Sequence, residues 1–305
     1  MTDSRAYDPT TVPVRPAATV MLVRDVSGVA AVGGEPTIEV FMLRRTLGAV
    51  FGSGMYVFPG GRVETSDGVD VEQAHRLAAI RECFEEAGVL LARDASGTPV
   101  TDGHPVLAAR AGVYDGSVDI LELCDEHGLH PDLDHMVWVS HWITPVGEQR
   151  RFDTRFYLVP APRGQSSSHD DNETIASLWV EPADALRRQA AGELTMMPPT
   201  VTNLRFLAEH ASVDAVMGAA RLMPPPECVL PKLQTDADGK LVGILLPGDP
   251  GYADACPGRL RRRRLPQRLG RRRPPQRLGR RALRSPGGSC APNNRPCWWA
   301  APPRR

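Results

Sequence analysis

A glycine pair set just ahead of a carboxylate-bearing helix is the feature that most restricts how this chain can fold. Phe58-Pro59-Gly60-Gly61 precedes Arg81-Glu82-Cys83-Phe84-Glu85-Glu86-Ala87-Gly88. At about 100° per residue, Leu77, Ile80, Phe84, Ala87 and Leu91 fall on one stripe that can pack into a core. Glu82, Glu85 and Glu86 fall nearly opposite, so the helical wheel predicts one exposed acidic patch. Like charges one turn apart repel by roughly a few tenths of a kcal/mol per pair, and Arg81 is the cation that can reach Glu85. A divalent cation would remove the conflict, because Mg²⁺ and Mn²⁺ take carboxylate oxygens and keep positions open for water and phosphate. An acidic triplet is also what a solvated helix face looks like. The glycines, Arg81 and Gly88 in the same short stretch favour the metal reading.

Around this segment the apolar pattern alternates between strands and helices. Strands are expected at 19–24, 38–43 and 55–58, then a helix over 71–91. Residues 92–134 read as an insert with helices near 106–111 and 118–127, placed to act as a substrate-side cap. Strands resume at 137–143, 155–159 and 175–180, and Pro182 opens a helix to Ala191. A further helix follows Met197-Pro198-Pro199-Thr200, and strands at 228–233 and 241–246 would form a hairpin around Asp238-Gly239, all within a 198–250 extension. The order suits an α/β sandwich built as a single domain over 17–255, with an unstructured polar lead-in at 1–16.

The glycine and glutamate stretch resembles the signature of the Nudix hydrolases, Gly-x5-Glu-x7-Arg-Glu-U-x-Glu-Glu-x-Gly-U with U an apolar residue. Arg81 to Val89 match its second half, with Cys83 in the apolar slot. Counting back from Arg81 puts Asp67 at the glycine and Gln73 at the first glutamate, so Gly61 serves as that glycine if 65–70 is a six-residue insertion. The first glutamate's place is then open among Glu64, Asp67, Asp70 and Glu72. The resemblance implies a Nudix-type α/β/α sandwich with a mixed sheet. It also implies Glu82 and Glu86 as metal ligands, Glu85 as a third ligand or the group activating water, and Arg81 holding a carboxylate in place. Arg81, Glu85 and Glu86 are thus the catalytic candidates, with Mg²⁺ or Mn²⁺ as cofactor. Cleaving a diphosphate demands neutralised phosphate charge and a positioned in-line water, which such a set can provide. Gly60 and Gly61 would admit close backbone approach to the substrate phosphates.

Gly54-Met55-Tyr56-Val57-Phe58-Pro59-Gly60-Gly61 is similar to the tail of the motif of coenzyme A diphosphatases within that superfamily. Leu43-Arg44-Arg45 could stand for its start, while Val50 sits where the motif has an arginine. Trp142-Ile143-Thr144-Pro145, Arg151-Phe152-Asp153-Thr154-Arg155-Phe156 and Met197-Pro198-Pro199-Thr200 look like the acyl-coenzyme A diphosphatase branch. The implied reaction is metal-dependent hydrolysis of a nucleoside diphosphate linked to another moiety, with coenzyme A or an acyl-coenzyme A leading. ADP-ribose or another nucleotide diphosphate is the alternative substrate, and a catalytically silent nucleotide-binding module the alternative role. In the polar loop 166–173, Asp170, Asp171 or Glu173 could reach the metal face. His141, His169, Trp138, Trp142 and Trp179 read as packing residues or pocket wall.

The zero formal net charge hides a division. Residues 256–305 hold 16 of the 36 basic residues and none of the 36 acidic ones, which leaves the preceding body strongly negative. Such a body disfavours a nucleic-acid partner and suits a small anionic substrate only where a metal offsets the repulsion. In the Arg/Pro-rich tail Pro266-Gln267-Arg268-Leu269-Gly270 recurs as Pro275-Gln276-Arg277-Leu278-Gly279. The expectation is disorder, and the abrupt loss of acids suggests a G/C-rich gene read out of frame. Six cysteines without paired ligand spacing, and no secretory or membrane-spanning apolar run, lead us to expect a cytoplasmic protein with no membrane partner. Homodimer formation is left open.

Overall fold

Strand β1 (Val14–Val26) is the element around which the others assemble. Its middle residues alternate between two buried faces: Ala18, Val20 and Leu22 point one way, Met21 and Val23 the other. In the computed structural model, which describes residues 9–26, 37–49, 52–170, 172–236, 238 and 240–255, this strand lies inside an eight-stranded mixed sheet. β2 (Thr37–Arg45) pairs with it antiparallel through Val23↔Val40, and β8 (Arg151–Pro160) pairs parallel from Val14↔Arg151 to Val23↔Pro160. β7 (Val137–Ile143) flanks β8, and β10 (Cys228–Val229) closes that edge parallel to β7. On the other side β2 carries β3 (Tyr56–Val57) and β9 (Thr174–Val180). β4 (Gly60–Arg62) pairs with β1 through Ala17↔Arg62 and Thr19↔Gly60.

Helices cover both faces, as the sandwich expectation required. Ala18, Val20, Leu22, Phe41, Leu43, Tyr157 and Val159 pack beneath α1 (Val71–Ala87), against Ala78, Ala79, Ile80, Cys83, Phe84 and Ala87. Met21, Val23, Val40, Met42, Phe156 and Leu158 face the opposite layer, made by α4 (Pro182–Ala190), α5 (Pro198–Leu207) and α6 (Val213–Leu222) through Ala185, Leu204, Leu207, Val216 and Met217. The insert is a further layer outside α1. It contains α2 (Arg110–Tyr114), α3 (Ile120–Glu126) and a small antiparallel pair, β5 (Ala92–Asp94) with β6 (Leu129–Pro131). Val106, Val113, Ile120, Leu123 and Cys124 join the same core as α1.

Several boundaries differ from the sequence reading. β1 starts at Val14, so residues 14–16 are paired strand rather than lead-in; parallel pairing to 151–153 uses backbone groups that polar Arg15 and Pro16 do not advertise. α1 stops at Ala87, because Gly88 takes a left-handed conformation (φ 71°) and its N–H caps the carbonyl of Phe84. The stretch expected as one strand at 228–233 divides, with β10 in the main sheet and β11 (Lys232–Thr235) in a separate ribbon with β12 (Leu241–Leu245). The tail at 256–305, Val50, Asp171 and Gly239 lie outside the described residues. Among the described residues no helix is long and apolar enough to cross a membrane.

Candidate active site

Arg81 is the hub of the site. Its Nε and Nη2 donate to the two carboxylate oxygens of Asp67 at 3.0 and 3.1 Å, and Nη2 also donates to the carbonyl of Arg62 at 2.8 Å. Its Nη1 donates to Oε1 of Glu82 at 3.0 Å and to Oε1 of Glu85 at 3.1 Å. One guanidinium therefore ties the glycine strand, the turn after it and two helix carboxylates into a single frame, a task its planar five-donor fork suits. Burial opposes the charged form of Arg81, but Asp67, Glu82 and Glu85 outweigh it and raise its pKa further.

Of the four residues left open for the signature's first acid, Asp67 is the one built into the site. It is buried in a single 3₁₀ turn (Thr65–Asp67), where its carboxylate also accepts from the backbone N–H of Glu64 at 2.7 Å. Asp70 is instead the N-cap of α1, accepting from the N–H of Gln73 at 2.9 Å. Glu72 makes an exposed one-turn pair with Arg76, and Glu64 reaches Arg62 in solvent. The signal for Asp67 was present in the sequence. Counting forward from Gly61 through five residues arrives at it, which puts the extra length between Asp67 and Arg81 rather than at 65–70.

The exposed acidic patch expected from the helical wheel is not found. Glu86 is buried, and Glu82 and Glu85 keep 14% and 12% of their side-chain surface. The sheet, strand β4, the insert and the loop before β9 enclose the helix, leaving no solvated face at its C-terminal half. Burial, opposed by Arg81 and reinforced by Glu85, pushes the Glu82 carboxyl up to about 7. Glu86 is raised well above the ordinary range by burial and by Glu82, against the pull of the Gly60 N–H and Arg45. Glu85 is raised by burial despite Arg81.

Among the described residues no three carboxylates, imidazoles or thiols already stand close enough together to hold an ion. The reason lies in the bonds just described: Oε1 of Glu82 and of Glu85 are drawn to Arg81, and Oε2 of Glu86 accepts from the N–H of Gly60 at 2.9 Å. The opposite oxygen of each carboxylate is outside those bonds. Three hard oxygen donors whose mutual repulsion and burial disfavour their anionic forms fit Mg²⁺ or Mn²⁺ by donor chemistry.

Both glycines are fixed in β4 rather than in a free turn. At Gly61 a Cβ would lie 2.3 Å from Oε1 of Glu82, so the missing side chain is what makes room for the carboxylate. At Gly60 a Cβ would meet the carbonyl oxygen of Ala18 at 2.5 Å and Cα of Thr19 at 2.7 Å, which is backbone of the neighbouring strand. The N–H of Gly60 is engaged with Glu86.

Two further groups face the glutamates. Arg45, at the end of β2, acts electrostatically on Glu86 and pairs with Glu173 at 3.4 Å; Glu173 in turn acts on both Glu82 and Glu86. Glu173 is thus the acid of loop 166–173 that reaches the site. Asp170 accepts from the backbone of Asn172, Glu173 and Thr174 and from the Thr174 hydroxyl, and so shapes the loop instead. Sequence reasoning missed Arg110 of α2, which donates to the carbonyl of Glu85 at 3.0 Å and to Oγ and O of Ser168 at 3.1 and 3.0 Å. A cation meeting the last carbonyls of a helix is favourable, but a single arginine in an insert carries no sequence signal for it. His141 is hydrogen-bonded to Asp153, His169 to Ser177, and Trp142 is in the core. Trp138 lies under Arg155, and Trp179 under Arg24.

Known proteins resemble this chain in sequence and in fold. Residues 67–207 match the NUDT19 Nudix domain. The chain is 35% identical over 203 residues to the acyl-coenzyme A diphosphatase NUDT19 of Gallus gallus, covering 60% of this chain and 53% of that protein. To the acyl-coenzyme A diphosphatase NUDT19 of Homo sapiens it is 32% identical over 198 residues, covering 59% and 51%. The chain therefore spans about half the length of these curated relatives. Among solved structures, the NUDIX hydrolase from Alicyclobacillus acidocaldarius superposes with a TM-score of 0.61 at 28% identity, over 70% of this chain and 100% of that one. With its mixed-sheet sandwich and its Arg81-centred glutamate helix, the chain has a Nudix-type fold, and its residues 67–207 are similar to the Nudix domain of the NUDT19 proteins.

Proposed function

We propose that this protein hydrolyses the diphosphate bond of a nucleotide linked to a second moiety, with coenzyme A or an acyl-coenzyme A as substrate. The observation that carries the reaction is the enclosed Glu82–Glu85–Glu86 cluster held by Arg81 against the glycine strand. What supports the substrate is the likeness to proteins named acyl-coenzyme A diphosphatase. Glu82, Glu86 and Glu85 are the residues that would hold Mg²⁺ or Mn²⁺. Such an ion, when bound, neutralises phosphate charge and lowers the pKa of water.

The chain's own residues have separable tasks. Arg81, fixed by Asp67, holds Glu82 and Glu85 on one nitrogen against their mutual repulsion and sets where their free oxygens lie. Gly61 leaves the volume that the Glu82 carboxylate occupies. Arg45 offers positive charge beside Glu86, where an incoming phosphate would otherwise meet only carboxylates. Water attacks one phosphorus, the bridging P–O bond breaks, and the water's proton passes to a carboxylate; Glu85 and Glu173 are the two within reach of that role. The space beside Gly60 and Gly61 is taken by the backbone of β1 and the Glu82 carboxylate, so the glycines seat the glutamates rather than the substrate phosphates.

The test is product analysis of the purified chain and its Glu86→Gln variant with Mg²⁺ or Mn²⁺, offered coenzyme A, an acyl-coenzyme A, ADP-ribose and dinucleoside polyphosphates. Cation-dependent release of 3′,5′-ADP from coenzyme A, lost in the variant, is the expected result. Cleavage of ADP-ribose alone would keep the reaction and discard the substrate. Binding without cleavage of any of them would overturn the hydrolase reading in favour of a nucleotide-binding module.

A further inference from the structure

The insert outside α1 places an aromatic hydroxyl at the rim of the glutamate site. Arg110 opens α2 and is locked on three acceptors: the carbonyl of Glu85, and the hydroxyl and carbonyl of Ser168. The fit is close, since a Cβ on Gly88 would lie 2.9 Å from Nη1 of Arg110. α2 is thereby fastened both to the end of the glutamate helix and to the loop that carries Asp170 and Glu173. Tyr114 stands four residues after Arg110, and residues four apart share a helix face. The face that Arg110 turns toward Glu85 and Ser168 therefore also carries Tyr114. Partial burial, with Glu173, Asp170, Glu85 and Glu86 adding to it, raises the Tyr114 pKa, while the residue remains 36% exposed. Tyr114 is thus a large, solvent-open aromatic on the face that α2 turns toward the end of the glutamate helix and the loop at Ser168, on an element with no part in the sheet. Core packing does not account for it, whereas its neighbour Val113 points into the core.

We infer that Tyr114 is a substrate-contacting residue supplied by the insert, whose phenol hydroxyl donates a hydrogen bond to a phosphoryl oxygen of the bound diphosphate, with Arg110 as the residue that positions it. This rests on the hydrolase reading above. Phosphates seated on the glutamate cluster would lie against the end of α1 to which α2 is fastened, and the Tyr114 hydroxyl is a neutral donor on that face. Because the contact is with a group that carries charge both before and during reaction, it contributes to binding of substrate and transition state alike and belongs to KM rather than kcat.

Steady-state kinetics of the full chain decide it, with Mg²⁺ and coenzyme A, or ADP-ribose if that is the compound cleaved. Tyr114→Phe is expected to raise KM by roughly ten-fold, the usual worth of a hydrogen bond to a charged group, with kcat within about two-fold of the parent. Its melting temperature should match the parent's, since an exposed hydroxyl is removed. Arg110→Ala should raise KM as well, and should add little to it in the Tyr114→Phe background, because both act through one contact. An unchanged KM in Tyr114→Phe overturns the inference, as does a loss confined to kcat. If the parent cleaves neither compound, the hydrolase reading fails first; if the parent turns over and Tyr114→Phe equals it, this inference alone fails.

Discussion

Glu82 and Glu86 sit one helical turn apart in the interior, and each makes the other's charge more expensive. Both carboxyls hold a proton more tightly folded than unfolded. Between the ordinary glutamate pKa of about 4.3 and the raised folded value the native state carries the extra protons, so their contribution to stability is lost as pH rises. For Glu82 that window closes at about 7. In cation-free buffer the melting temperature of the parent, measured against Glu86→Gln, should therefore fall from pH 5 to pH 8, and added Mg²⁺ should restore it most at pH 8. A parent and variant with parallel pH profiles would contradict this. The two glycines separate structure from activity at the same scale. Gly61→Ala meets only the movable end of Glu82, so it should stay folded and lose at least about ten-fold in kcat/KM. Gly60→Ala meets the backbone of β1, so thermal or urea unfolding should show a loss of about 1–3 kcal/mol.

At the level of elements, the Arg81–Asp67 fork joins the 3₁₀ turn to α1 with both partners almost wholly out of solvent, their side chains 10% and 1% exposed. Removing Asp67 strips the buried Nε of Arg81 of its acceptor and leaves the guanidinium charge to Glu82 and Glu85 alone. Asp67→Ala should thus cost about 3–5 kcal/mol in urea unfolding and should weaken Mg²⁺-dependent turnover, because Arg81 then loses its anchor for Glu82 and Glu85. The sequence disclosed the elements that bury continuous apolar runs: β2, β7 and α1 were all readable from periodicity. It concealed β5 and β6, three residues each, whose pairing is local backbone chemistry with no side-chain period. The acidic character of α1 was legible too, and its burial was not. A helical wheel sees which residues oppose the apolar stripe, but cannot see that β4 and loop 166–173 fold over them. Arg110 and Glu173 entered the site by that same folding-over, from segments 25 and 87 residues along the chain from Glu85 and Glu86.

For the whole molecule, the buried apolar residues run from Ala17 to Val229 among the described residues. A chain ending at Ala255 is expected to melt at the parent temperature and keep its turnover, while its isoelectric point drops well below 7.1 with the loss of 16 arginines. Loss of turnover on truncation would make the tail part of the site. Any affinity of the full chain for nucleic acid should disappear in the shortened one and fall steeply with salt beforehand.

The parallel pairing of β1 with β8 joins residues 14–23 to residues 151–160. On a ribosome the chain grows from its N-terminus at about 5–20 residues per second, so β1, β4 and the glutamate helix all emerge well before the strand that completes their sheet. During that interval Glu82, Glu85 and Glu86 are water-exposed and ordinary. They acquire their burial and strained protonation only when β8 arrives and the loop after it closes over them. The buried glutamate cluster is thus completed late in the protein's biogenesis, in an order set by topology, and a nascent fragment ending before residue 160 would carry Gly61, Asp67, Arg81 and all three glutamates without the full strand that completes their sheet.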